Sequence, residues 1–101
     1  MESAWSALAF EFEGFEWDDQ KARSNLQEHH IDFEDAVRIF SDYVVAKTQG
    51  ENHEIRWQAP GLAQGRELLV VFVEAAGYCR IISARRCTRA EAKRYYEILY
   101  R

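Results

Sequence analysis

The chain has 101 residues, 48% of them hydrophobic and 14% aromatic, which suits one compact domain with a single core and excludes an intrinsically disordered segment. A net charge of -4 conceals a strong polarity, because residues 1–54 hold thirteen acids and four bases whereas residues 55–101 hold four acids and nine bases. Two cysteines, Cys79 and Cys87, make neither a disulfide framework nor a CxxC metal pair, and the apolar stretch Ala4 to Phe10 is too short to span a membrane and lacks a basic flank. The expected location is the reducing cytoplasm, with no membrane partner.

Asp18 can accept hydrogen bonds from the free amides of a helix start, and Ala22 and Leu26 then fall on one face, so a first helix is expected over 18–30. Asp32 repeats the signal for a second helix over 33–41, in which Phe33, Ala36, Val37 and Phe40 recur at helical spacing. After Asp42 the period changes to that of strands. Tyr43 to Thr48 is rich in strand formers, Gln49 to Asn52 has turn composition, and from Glu54 onward Ile55, Trp57 and Ala59 alternate with Glu54, Arg56 and Gln58. Arg56 is thereby expected on the polar side.

Pro60 to Gly65 is expected to break the sheet before Leu68 to Val73, an apolar run typical of a central strand. A hairpin-sized gap at Ala75 to Gly77 returns the chain through Tyr78 to Arg86. Regular alternation puts Arg80 and Arg86 on one face with Ile82 and Ala84, and Arg85 on the other; a bulge near the strand end would reunite Arg80 and Arg85. Thr88 and Glu91 have capping-box spacing and start a last helix with Ala92, Tyr95, Tyr96 and Leu99 along its apolar stripe. The expected fold is α+β: two N-terminal helices, a four-stranded, largely antiparallel sheet and a C-terminal helix, with room for a short extra strand between Phe10 and Trp17.

Metal and cofactor chemistry find little footing. His29 and His30 are adjacent, so on a helix they point about 100° apart, and His53-Glu54 lacks the second histidine of a zinc-protease motif because Trp57 stands there. Neither a GxGxxG nor a Walker loop is present. No cofactor and no metal are expected.

Residues 80–94 gather Arg80, Arg85, Arg86, Arg89, Lys93 and Arg94 against one acid, Glu91. Like charges repel, so a phosphate-bearing partner explains the cluster, and RNA is the partner favoured, with Arg86, Arg89 and Lys93 as RNA-binding residues. Cleavage of RNA without a metal requires a base for a ribose 2′-hydroxyl, cations for the charge that builds at phosphorus and an acid for the departing 5′-oxygen. Glu54 and His53 are candidate bases, and Arg56, Arg80 and Arg85 the electrostatic clamp. The alternative is that Glu54 and Arg56 make only surface ion pairs.

Phe15-Glu16-Trp17-Asp18, Lys21, Asn25, His29, the Phe33-Glu34-x-Ala36 run, Phe40-x-Asp42, the Glu54-x-Arg56 pair, Gly61 and the Arg80 to Arg86 segment followed by Thr88, Glu91 and Tyr95 together resemble the BrnT toxins. The chain departs from that family's usual pattern at Glu28, at His30, where glycine is common, and at Ala92. What the resemblance implies is a RelE-like domain over 15–101, preceded by an extension at 1–14, acting as an endoribonuclease that blocks translation. It further implies a BrnA-like antitoxin partner, contact with DNA only through that antitoxin, and Arg56 and Arg85 as the best-matched active-site positions, with Arg80 next. A non-catalytic module that works only through a partner is the competing reading.

Overall fold

The computed structural model describes residues 5–41, 44–51 and 54–100. In chain order the elements are β1 (Ser6–Leu8), β2 (Gly14–Glu16), α1 (Asp19–His29), α2 (Phe33–Ala36), a 3-10 turn (Val37–Phe40), β3 (Val44–Glu51), β4 (Glu54–Ala63), β5 (Arg66–Ala75), β6 (Tyr78–Arg86) and α3 (Arg89–Leu99). The strands form one six-stranded sheet in the order β1-β3-β4-β5-β6-β2. It is mixed, because β2 runs parallel to β6 while the other neighbours are antiparallel.

This corrects the expected architecture. In place of a four-stranded sheet behind two N-terminal helices there are six strands and three α-helices, strands occupy more of the chain than helices, and the chain enters through strands. Of the two added strands β2 lies within the span from Phe10 to Trp17 where a short strand had room, whereas β1 was not expected; each has three residues and pairs with a segment far along the chain. The second expected helix is also shorter: α2 is a single turn that tightens into a 3-10 turn. Nor does the sheet break at Pro60, since β4 continues to Ala63. Beyond Gln58 the β3–β4 register ends, so the missing Pro60 N–H is not required by that neighbour.

Helix ends follow from the capping residues. The Asp18 carboxylate accepts from the Lys21 N–H at 3.0 Å, Asp32 accepts from Glu34, and Thr88 and Glu91 form a reciprocal capping box. His30 closes α1 in the left-handed region at φ 59°, donating its N–H to the Leu26 carbonyl at 2.9 Å. Both two-residue hairpins, Gln64-Gly65 and Ala76-Gly77, have positive φ at each position, which matches the twist of the strands they join.

One face of the sheet carries the main core. Ile31, Phe33, Ala36 and Ile39 from the helical segment cover Leu68, Val70, Phe72, Ile81 and Ala84, all buried. The 3-10 turn approaches β4 so closely that a Cβ on Gly61 would sit 2.6 Å from the Ile39 Cβ. Residues ahead of β2 complete this core: the Phe10 ring packs edge-on against Trp57 at 5.2 Å and Phe72 at 5.4 Å, and Phe12 packs against Phe40 and Phe72.

Val45 and Leu69 alternate away from that cluster and are buried on the opposite face. There α3 packs across β4, β3 and β1 with Ile98 buried, while Leu99, expected on its apolar stripe, is 39% exposed. Because α3 covers only part of this face, the sheet floor beside it stays accessible.

Candidate active site

The position of the arginines is decided by a single irregularity. Val71 pairs with Ser83 but Phe72 pairs with Ile81, so Ile82 is an extra residue in β6 with nothing opposite it. The bulge resets the alternation: Arg80, opposite Val73, and Arg85, opposite Leu69, both lie on the face away from the helical core, while Arg86, opposite Leu68, lies on the core side at the strand's end. Arg56 precedes Trp57, which pairs with core-facing Phe72, so it shares the face of Arg80 and Arg85.

Three rows of side chains cross this floor. Pro60, Leu69 and Arg85 form the first, Gln58, Val71 and Ser83 the second, and Val73 and Arg80 the third, with Arg56 on the same face of β4. Rows two residues apart are separated by roughly 7 Å and alternate strands by roughly 10 Å. Arg56 and Arg80 are thus within reach of one anion between them, and Arg85 lies about 13 Å farther along, with Ser83 in between. The patch is half-buried rather than enclosed.

Two arginines of β6, Arg80 and Arg85, already hold a carboxylate. Arg80 donates to Glu16 of β2 at 2.7 Å, a half-buried pair made possible by the Glu16–Arg80 register. Arg85 donates to both oxygens of Glu91 at 2.8 and 2.9 Å and to the Arg86 carbonyl at 3.1 Å. A guanidinium has five N–H donors, so these three bonds leave Arg85 with two and make Arg80 the better supplied toward a phosphate. The Glu91 hydrogen bond holds Arg85 firmly charged, and the same bond lowers the Glu91 carboxyl below its ordinary range.

The remaining sequence candidates are dispersed. His53 lies outside the described residues; Glu54 starts β4 opposite Glu51. Arg89 and Lys93 are exposed on successive turns of α3. Burial pushes the thiols of Cys79 and Cys87 up to about 12, so neither is a ready nucleophile. Among the described residues no three His, Cys, Asp or Glu side chains gather as a metal-binding set.

Beside the arginine floor runs a groove of about 510 Å³ between α1 and the edge of β6 that β2 leaves uncovered, lined by Lys21, Ser24, Glu28 and His29 on one side and Ile82 and Ser83 on the other. Asn25 at its base is structural: its amide donates to the Ile31 and Ala84 carbonyls and accepts from the Ala84 N–H, standing in for a neighbouring strand. Sequence reasoning allowed that Lys21, Asn25 and His29 line a site, though as structural positions first, and passed over Glu16 and Ser83. Glu91 was visible only as a cap, though it stands six residues from the arginine it holds.

Residues 17–91 match the family model described as the ribonuclease toxin, BrnT, of a type II toxin-antitoxin system. The chain belongs to the BrnT family. A BrnT chain is a ribonuclease toxin by family, which implies an RNA substrate and an antitoxin partner. The matched BrnT span takes in α1, the four-stranded meander β3–β6 and the capping box, so all three arginines of the shared face lie within it. Among curated proteins none matches the chain. None of its described helices is long and apolar enough to cross a membrane.

Proposed function

We propose that this BrnT chain is a metal-independent endoribonuclease that inhibits translation in the cytoplasm and is neutralised by a BrnA-like antitoxin, reaching DNA only as part of that complex. In this reading a ribose 2′-hydroxyl attacks the adjacent phosphorus, the 5′-oxygen leaves, and Arg56 and Arg80 stabilise the charge that accumulates on the phosphate oxygens, with Arg85 adding positive potential. Glu54 or His53 supplies the base. Arg86, Arg89 and Lys93 hold flanking phosphates, a sequence-independent contribution that weakens with salt.

The observation that carries this reading is the bulge at Ile82, which gives Arg56, Arg80 and Arg85 a common face. Fixed cations aimed at a developing charge are worth about a hundredfold or more in rate each. Purified protein is expected to cleave RNA in excess chelator, and Arg80→Ala to lose about a hundredfold of that rate with an unchanged melting temperature. Cleavage that stops in chelator refutes the mechanism.

A second reading, a module that only binds a partner, is favoured by one observation: Glu16 and Glu91 already occupy Arg80 and Arg85. Induced expression discriminates. A chain that leaves bacterial growth untouched while co-purifying with the protein encoded beside it is a binding module.

A further inference from the structure

We infer that the groove between α1 and the bulged edge of β6 is a nucleoside subsite, taking the RNA residue next to the phosphate held on the arginine face; this rests on the ribonuclease reading above. The groove and the arginine face are continuous at one residue. Ser83 lines the groove and also occupies the row between Arg80 and Arg85, so a single strand laid across the floor passes over the edge of β6 directly into the groove. The edge is open there because β2 ends at Glu16, opposite Arg80.

Charge identifies the moiety. Asp18 and Glu28 border the groove with Lys21 as its sole permanent cation, so a second phosphate is repelled, whereas a neutral nucleoside is accommodated. The lining offers what a nucleoside needs: hydroxyls from Ser24 and Ser83 toward a ribose or a base edge, the Ile82 side chain and the His29 ring as surfaces for a base, and carboxylates to accept from an exocyclic amino group. Asp18 is committed to capping α1 through the Lys21 N–H, which leaves Glu28, 73% exposed and beside His29 at 3.9 Å, as the acceptor for that amino group. The subsite therefore favours adenine, cytosine or guanine over uracil.

The test needs no turnover. Fluorescence anisotropy is measured with 2′-O-methyl tetranucleotides, which cannot cleave through the 2′-oxygen: one of adenines, one of uracils and one abasic with the same number of phosphates. The adenine oligomer is expected to bind about tenfold tighter than the abasic one, with uracil between them. Ser24→Trp, an exposed position on α1, is expected to fill the groove and abolish the preference for a base at an unchanged melting temperature, and Glu28→Gln to erase the adenine-over-uracil difference. Arg80→Ala should weaken all three oligomers alike. Equal affinity for adenine and abasic oligomers, or a preference that survives Ser24→Trp, overturns the subsite. Loss of RNA cleavage in chelator overturns the ribonuclease mechanism and leaves this binding measurement intact, so the two failures are distinguishable.

Discussion

Glu91 of α3 holds Arg85 of β6 through two parallel hydrogen bonds of 2.8 and 2.9 Å, and the same carboxylate accepts the Thr88 N–H at 2.8 Å. One side chain thus fastens the first turn of α3 to the last residues of β6. Side-chain exposures of 38% for Arg85 and 21% for Glu91 place the pair between a solvent-screened contact and a buried one. Glu91→Gln replaces one accepting oxygen by an NH2 that cannot accept from the guanidinium, so one of the two bonds and the ionic attraction are lost, at an expected cost of about 1–2 kcal/mol. Thermal denaturation should register a fall of roughly 4–8 °C per kcal/mol for a domain of this size. An unchanged melting temperature would mean that the fork is ornamental.

The same pair makes stability depend on pH in a defined direction. The Glu91 carboxyl titrates below its ordinary value of 4.5, first because Arg85 hydrogen-bonds its charged form. A carboxyl whose folded value is depressed contributes stability that is present above its unfolded value and is lost as pH falls through the folded one. The melting temperature of the wild-type chain should therefore begin to drop as pH passes below about 4.5, and the drop should be shallower in Glu91→Gln. Equal slopes in the two proteins would remove Glu91 as the cause.

His30 ends α1 at φ 59°, a conformation that costs a residue with a Cβ and costs glycine nothing. His30→Gly is expected to stabilise the fold by about 0.5–1 kcal/mol, read from urea unfolding with an unchanged slope. Destabilisation would imply that the imidazole makes a contact worth more than the strain.

Much of the β-meander was legible because alternation is a local signal. Trp57 and Ala59 against Arg56 and Gln58, and the capping box at Thr88 and Glu91, needed no tertiary information. What escaped was non-local. The Glu16–Arg80 ion pair joins residues 64 positions apart through a parallel pairing of only three residues, and nothing in the local sequence announces it. A bulge near the end of β6 is compatible with the local sequence, but its site at Ile82 is set by packing Ile81 and Ala84 into the same core. Residues 1–14, with Phe10 and Phe12 among them, read as an extension because they precede the family resemblance. Both rings are nonetheless packed against Phe72.

That packing carries its own expectation. Phe10 touches Trp57 and Phe72 from a segment that lies outside the family match at 17–91, so its removal opens the core from a direction the rest of the fold does not cover. Phe10→Ala is expected to cost about 2 kcal/mol, below the range for a fully buried ring because Phe10 is only partly buried. Chemical denaturation decides it. A loss under about 0.5 kcal/mol, the range of ordinary surface substitutions, would show that the segment rests on the domain without belonging to it.

Glu16 bears on how the arginines meet a phosphate. Its carboxylate lies 2.7 Å from the Arg80 guanidinium, and with side-chain exposures of 39% and 40% the pair contributes little to stability. Toward an incoming phosphate, however, Glu16 acts twice, as a competitor for Arg80 donors and as a like charge. Glu16→Gln is therefore expected to leave the melting temperature unchanged while strengthening the binding of single-stranded RNA several-fold, with a steeper loss of affinity as salt increases because one more cation faces the phosphates. Anisotropy titrations at two salt concentrations measure both effects. Weaker binding in Glu16→Gln would reverse the assignment: the carboxylate would then be holding Arg80 in its productive orientation, and the phosphate would approach from the side of the guanidinium that Glu16 leaves open.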